Sequence, residues 1–458
     1  MSESLTTTAA SERRLAPGPK GSFLLGNLGA AREDPIKLFL GAAMEHGDLV
    51  RFRFGPRIGH LVRAPEFVRH VMQEHSKNYG KQTPGYRRVQ YVLGQGLLTS
   101  EGDFWLRQRR IAQPGFHRQR IAGFGETFVR CTQELMVRWQ EHVASGKPID
   151  VLYEMMKLTL RVVALTLLSK DLEQDADAIG EAVSDILMNA NERMTAMIDI
   201  PPHIPTRKNR RFNKFLRVLD DVVLGLIRER RKDTADRGDL LSMLMLAKDE
   251  ETGETMTDGQ LRDEVMTIFL AGHETTANAL TWTLMLLSQH PGELRLAQEE
   301  VKKLGDRALT AADFPQLTRV RACIDEGMRL YPPAWMVARS VAADDTIGGY
   351  HIPGGSICFT SPYVSHRNPN VFDNPLGFDP ARFLDGRSER WPRFAYFPFG
   401  GGPRLCIGNN FALLEASLIL ATMLQKVRLE LVPGHDTSPE PSITLRPRHG
   451  MKMWVKPA

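Results

Sequence analysis

The sequence predicts a mainly α-helical chain with a smaller set of short strands, on three observations. Helical periodicity dominates from Asp103 to about Lys248. The stretch "MTDGQLRDEVMTIFLAGHETTANALTWTLMLLSQHP" is apolar nearly all round in its middle, as a helix buried in the core of a large protein must be. Strand-like runs are short and confined to the N-terminal part, to 338–360 and to the tail from 428.

Taken in order, "APGPKGSFLLGN" reads as an extended, Pro-punctuated entry. "DLVRFRFG" and "GHLVRA" form a strand pair turning at "GPRIG". "PEFVRHVMQEH" is a short helix opened by proline. Residues 80–100 carry turn signals at both ends and little period, which predicts mostly loop. The helical region that follows breaks at "ASGKP" and "DIPPHIPTR". Thr257 and Gln260 make a capping box for the long helix, and Pro291 marks its far end, a span on the order of 50 Å. Two further helices follow, the second near 320–330. Residues 365–400 are aromatic- and Pro-rich loop, and "NNFALLEASLILATMLQKV" is a final apolar helix.

The 458 residues are 42% hydrophobic and 25% charged, so a large core is available. A net charge of +5 spread over this length, with no basic block carrying aromatics, argues against nucleic-acid binding. Cys131, Cys323, Cys358 and Cys406 stand far apart with no C-x-x-C pair, so the cysteines suggest neither a zinc site nor a disulfide framework, and a reducing compartment fits. The start, "MSESLTTTAASERRLAPGPKG", lacks an apolar core for secretion, and no run is long enough to span a membrane. A cytoplasmic protein is expected, with residues 1–20 a flexible polar leader.

"FPFGGGPRLCIGNN", residues 397–410, surrounds one thiol with bare backbone. Cys406 precedes an apolar helix, whose free N–H groups favour a thiolate. The glycines would let a flat group approach, and Arg404 could meet a carboxylate. Three local readings stand side by side: a thiolate iron ligand under a porphyrin, a phosphate-cradling loop, and a redox thiol. The phosphate reading lacks the Lys-Ser/Thr of a P-loop. In the long helix, "AGHETT" pairs small residues with an acid and an alcohol. It begins like a zincin, but Ala277 stands where the second histidine is needed.

Phe399, Gly402, Arg404, Cys406 and Gly408 fit F-x-x-G-x-R-x-C-x-G, which resembles the haem-binding signature of the cytochrome P450 family. Four further stretches resemble family motifs in family order: W-x-x-x-R at Trp105 and Arg109, A/G-G-x-D/E-T at Ala271–Thr275, E-x-x-R at Glu326 and Arg329, and P-E-R-F around Arg382, where Ala381 replaces the glutamate. The resemblance covers nearly the whole chain. It implies a mainly α fold with a small β-rich lobe, a single P450 domain over 21–458.

The resemblance also implies roles. Cys406 would be the thiolate ligand of haem b iron, with Phe399 shielding the sulfur and Gly408 in the same loop. Ala271 and Gly272 would leave a groove for O2, Thr275 would bond the oxygen and a water, and Glu274 would relay protons. His273 is expected in a pocket or channel. Glu326, Arg329 and Arg382 would form a buried structural cluster. Trp105, Arg109, Arg339 and Arg404 would hold the haem carboxylates. The 80–100 loop, the 185–210 region, Ala334, Met336, Val337 and Ile443 would line the substrate pocket. The expected activity is insertion of one oxygen atom from O2 into a fatty acid, terpenoid or polyketide. A ferredoxin or flavodoxin with its reductase would bring electrons from NAD(P)H, docking near Arg107, Arg110, Arg118 and Arg120, and a monomer is the default. A peroxide-using relative is the alternative, and a haem sensor a more remote one; both leave the acid–alcohol pair without a purpose.

Overall fold

The Thr257 capping box starts the helix that organises the molecule. In the computed structural model, which describes residues 14–171, 176–195, 200–233, 235–249 and 251–458, this helix runs Asp258–Gln289, with Thr257 accepting from Gln260 N and Gln260 accepting from Thr257 N. His290 closes it and Pro291 opens the next helix, Pro291–Lys302. Around it pack Val151–Leu168, Arg207–Lys232, Thr318–Leu330 and Asn409–Leu424. One continuous apolar core runs through these helices, from Val92 to Val455.

The predicted strand pair, Leu49–Phe54 with Arg57–Val62, turns tightly at Gly55-Pro56. It belongs to a five-stranded sheet completed in space by Ile357–Thr360, Val337–Val341 and Tyr79–Gly80. A separate apolar cluster around Phe39, Phe52 and Leu61 fills this lobe. The fold is mainly helical with a small β-rich lobe in one domain.

Two expectations change. Residues 80–100 are not mostly loop: Pro84–Leu93 is a helix, with Thr83 accepting from Tyr86 N at 3.3 Å and Pro84 in the first turn. Ten residues between turn signals showed too little apolar period to declare it. The second concerns the last part of the expected leader, residues 14–20. Residues 1–13 lie outside the described residues, but from Arg14 the chain is tied down: Arg51 N donates to Pro17 O at 2.7 Å, and the Arg14 guanidinium reaches the Tyr350 hydroxyl at 3.0 Å. Four residues of the "DIPPHIPTR" approach, 196–199, also lie outside the described residues.

Candidate active site

Cys406 emerges from a loop shaped by its glycines. Cys406 N donates to Phe399 O at 3.0 Å, closing the loop. The bare backbone at Gly401 and Gly402 serves the protein side of that loop rather than an approaching ligand. A Cβ on Gly402, whose φ is +63°, would lie 2.0 Å from the Met72 carbonyl oxygen, and one on Gly401 would strike the Phe394 ring at 2.1 Å. The Cys406 side chain is accessible, yet it sits deep in the chain. Burial pushes its thiol up, opposed by a hydrogen bond from Gly408 N and by the nearby Arg109 cation. A thiolate at this position therefore calls for a cation at the sulfur, which a metal ion supplies.

Beside the loop lies an excess of positive charge. The Arg404 guanidinium stacks 3.7 Å from the Trp105 ring centroid and donates to Ser100 O at 2.9 Å. Arg109 donates to Leu405 O at 3.0 Å. Arg339, buried on its strand, reaches the Ala338 carbonyl at 3.1 Å and the Tyr86 hydroxyl at 3.4 Å. Lys81, absent from the sequence-based expectation, joins them with its ammonium 2.6 Å from Leu98 O. Burial and the repulsion of Arg339 and Arg404 hold the Lys81 ammonium well below its ordinary value; Glu101 opposes this. Burial and Arg339 likewise lower Arg404 to about 10. Glu101 is the carboxylate that acts on both. Three arginines and a lysine gathered beside an accessible thiol make a receptacle for an anion, and the two carboxylates of a haem fit it.

On the long helix, Ala271 and Thr275 share a face one turn apart. Ala271 is exposed although Leu270 is buried, so this face borders an opening. The Thr275 hydroxyl turns back to Ala271 O at 2.8 Å. Gly272 faces elsewhere: a Cβ there would lie 3.3 Å from Val163 of the neighbouring helix, so its bareness serves helix packing. His273 is buried, bonds Phe269 O at 3.1 Å through Nδ1, and is lowered to about 4 by burial, hence neutral. Glu274 points to the C-terminal hairpin, where the Thr444 hydroxyl donates to its Oε1 at 2.8 Å. Burial raises this carboxyl against the Thr444 bond and the Arg446 charge. Asn278 completes the group, donating to Thr444 Oγ1 at 3.2 Å.

Glu326, Arg329 and Arg382 meet in the interior. Arg329 makes a forked pair to Glu326 at 2.6 and 2.8 Å, and Arg382 Nε reaches Glu326 Oε1 at 3.2 Å. Both arginines also donate to carbonyls of the loop ahead of the cysteine, including His366 O, Pro375 O, Gly377 O and Asn374 O. His366 Nε2 in turn accepts from Phe397 N at 3.0 Å, which ties the cluster to the start of the cysteine loop. Ala381 costs the cluster nothing, since its backbone alone is used, donating to Asp379.

The pocket expectation divides. Ala334 is accessible between buried Pro333 and Trp335. Ile443 lies at the hairpin tip next to Thr444, and Trp282 of the long helix holds that hairpin by donating to Leu445 O at 3.1 Å. Val337 opens a sheet strand and packs against the cluster of Tyr79 and Phe397. Met336, expected in the pocket, lies between the Phe39–Phe52 cluster of the β lobe and the cluster of Trp335, Tyr363 and Leu445, packing against both. The expected docking arginines divide too. Arg107 is paired with Glu254, and Arg110 with Asp249 at 3.0 Å and Glu251 at 2.7 Å, so an acidic loop of the same chain neutralises them. Arg118 is exposed, and Arg120 lies 3.8 Å from Asp236.

Besides Lys81, sequence reasoning missed Glu415, buried in the helix after the cysteine and raised to about 8 by burial, with the Thr276 hydroxyl opposing. A lone acid in the apolar run "FALLEASLIL" was the available signal.

A family model described as Cytochrome P450 matches residues 16–453. Cyclooctatin synthase of Streptomyces melanosporofaciens is 38% identical over 434 residues, covering 94% of this chain and 93% of that protein. Cyclooctat-9-en-7-ol 5-monooxygenase of the same organism is 36% identical, covering 93% of each. Pentalenene oxygenase of Streptomyces avermitilis is 35% identical, covering 88% of each. Among solved structures, the crystal structure of the cytochrome P450DA heme domain matches with a TM-score of 0.90 at 28% identity, covering 97% of this chain and 98% of that one.

Proposed function

The chain belongs to the cytochrome P450 family of haem-iron, O2-using monooxygenases, and from that premise we propose that its substrate is a terpenoid, oxidised at the site built around Cys406 and Thr275. The accessible thiol beside Arg109, Arg339, Arg404 and Lys81 carries the reading of the site. The names of the three similar proteins above support the substrate class. Fatty acids and polyketides remain the competing lipophiles.

In this reading Cys406 Sγ ligates the iron, with Gly408 N–H steadying the sulfur. Arg109, Arg339, Arg404 and Lys81 hold the haem carboxylates, and Trp105 holds Arg404 in place. When bound, the haem supplies the iron at which O2 is activated with two electrons, for the net change RH + O2 + 2e⁻ + 2H⁺ → ROH + H2O. The protein's share is the two protons. Glu274 holds one because burial keeps its carboxyl from ionising readily, and Thr444 and Asn278 link it to the C-terminal hairpin. Rotation of the Glu274 side chain presents that proton toward the open face. There the Thr275 hydroxyl exchanges its bond to Ala271 O for one to a bound water. A lipophilic substrate seated on the open Ala271 face would keep bulk water from it, so that protons arrive singly.

The electrons come from NAD(P)H through a separate ferredoxin or flavodoxin with its reductase. With Arg107 and Arg110 neutralised, docking falls to Arg118 and its neighbours on the cysteine side. The chain works as a cytoplasmic monomer; no helix among the described residues is long and apolar enough to cross a membrane.

The test is a substrate-binding screen on the purified haem protein. Cyclic terpenes are expected to shift the ferric haem toward high spin and to be oxygenated with NAD(P)H, ferredoxin and reductase. A spin shift given by fatty acids but by no terpene would overturn the substrate class. Turnover with peroxide but none with the redox partners would favour the peroxide-using alternative.

A further inference from the structure

Behind the cysteine loop, the segment predicted as a short helix contains a feature outside the P450 chemistry. Pro65–Arg69 is α-helical, but His70–Glu74 forms a wider turn, in which His75 N donates to His70 O, five residues back, at 2.8 Å. In an ordinary α-helix, residues five apart point in different directions. The wider turn instead brings residue 75 over residue 70, and the two imidazoles stack with centroids 3.9 Å apart and planes 11° from parallel. Turns of this kind are rare and concentrate at functional sites.

A carboxylate from a distant part of the chain completes the group. Asp345 Oδ2 lies 2.8 Å from His70 Nε2 and accepts from the Tyr79 hydroxyl at 2.7 Å. Asp345 Oδ1 accepts from Thr346 N at 2.7 Å, so both oxygens are held in place. One ligand atom from each of His70, His75 and Asp345 lies within 4.8 Å of the other two. His75 is exposed and its imidazole makes no hydrogen bond among the described residues, while the neighbouring Glu74 is occupied by Arg69 at 2.9 Å.

We propose that His70, His75 and Asp345 form a binding site for one divalent transition-metal ion of the zinc type. Two imidazoles and a carboxylate are the donors such ions prefer, at bonds of about 2.0–2.2 Å, with water completing the shell. The exposed His75 side chain closes the site by rotation, and the metal replaces the His70–Asp345 hydrogen bond. Tyr79 and Thr346 fix the carboxylate as outer-shell partners do. The site would tie the 70–75 turn to the strand at Asp345. That turn also carries the Met72 carbonyl against which Gly402 packs, so the metal would brace the wall behind the cysteine loop. The proposal stands independently of the substrate.

The experiment is equilibrium dialysis of the full-length haem protein against Zn2+ near neutral pH, with metal counted by mass spectrometry and unfolding followed by calorimetry. Wild type is expected to retain one zinc per chain and to gain thermal stability from it. His75→Ala, which removes an exposed side chain, should weaken binding at least tenfold and abolish the zinc-dependent rise in Tm, while His449→Ala, far along the chain in the tail, should change neither. Asp345→Asn should weaken binding as His75→Ala does; should it unfold the protein, His75→Ala alone decides. Absence of stoichiometric zinc on wild type, or equal binding by wild type and His75→Ala, would overturn the site.

Discussion

Gly402 owes its bare backbone to a segment far from it in sequence. Its positive φ and the Met72 carbonyl 2.0 Å from any added Cβ leave no room for alanine. Gly402→Ala is expected to destabilise the protein by roughly 3 kcal/mol, combining backbone strain with overpacking. It should also lower the haem-to-protein ratio on purification, since the displaced loop carries Cys406. Unchanged Tm and haem content would contradict this. The sequence made the loop recognisable through Phe399, Gly402, Arg404, Cys406 and Gly408. It did not disclose that the glycines answer to Met72 and Phe394, because those contacts are made only when distant segments meet. Lys81 was hidden for the same reason: one lysine in a polar segment has no pattern, and only folding sets it beside Arg339 and Arg404.

At the scale of elements, the long helix was legible almost to the residue, because a capping box and a proline are local signals. The helix Pro84–Leu93 was not, since its start signal, Thr83-Pro84, sat within other turn residues. Which face each helical residue presents was legible only in part. Ala271 and Thr275 share the open face, but Gly272 belongs to the contact with Val163. The contact between the long helix and the helix after the cysteine yields a pH prediction. Glu415 is buried there with its carboxyl raised to about 8, while the same group in the unfolded chain ionises near 4.5. Between those values the unfolded chain has released a proton that the native protein retains. Stability contributed by the neutral carboxyl is therefore full below about 4.5 and is lost as pH rises toward 8, on the order of a few kcal/mol across the window. Glu415→Gln cannot ionise and should show a shallower fall of Tm between pH 5 and 8 than wild type. Parallel curves for the two proteins would contradict the assignment.

Across the whole molecule, separate parts converge on the cysteine loop. The Glu326–Arg329–Arg382 cluster holds the approach to it through His366 and Phe397, the cations flank it, and the 70–75 turn backs it. The five sequence motifs marked these parts in order, but their meeting point is a property of the fold. The central claim is that this meeting point holds iron through Cys406 sulfur. Its most direct test is the carbon monoxide difference spectrum of the reduced protein, recorded for wild type and Cys406→Ser. A strongly red-shifted Soret band in wild type, absent from Cys406→Ser, is the predicted result. A band at the ordinary histidine-haem position in wild type, or a red-shifted band that survives in Cys406→Ser, would contradict it.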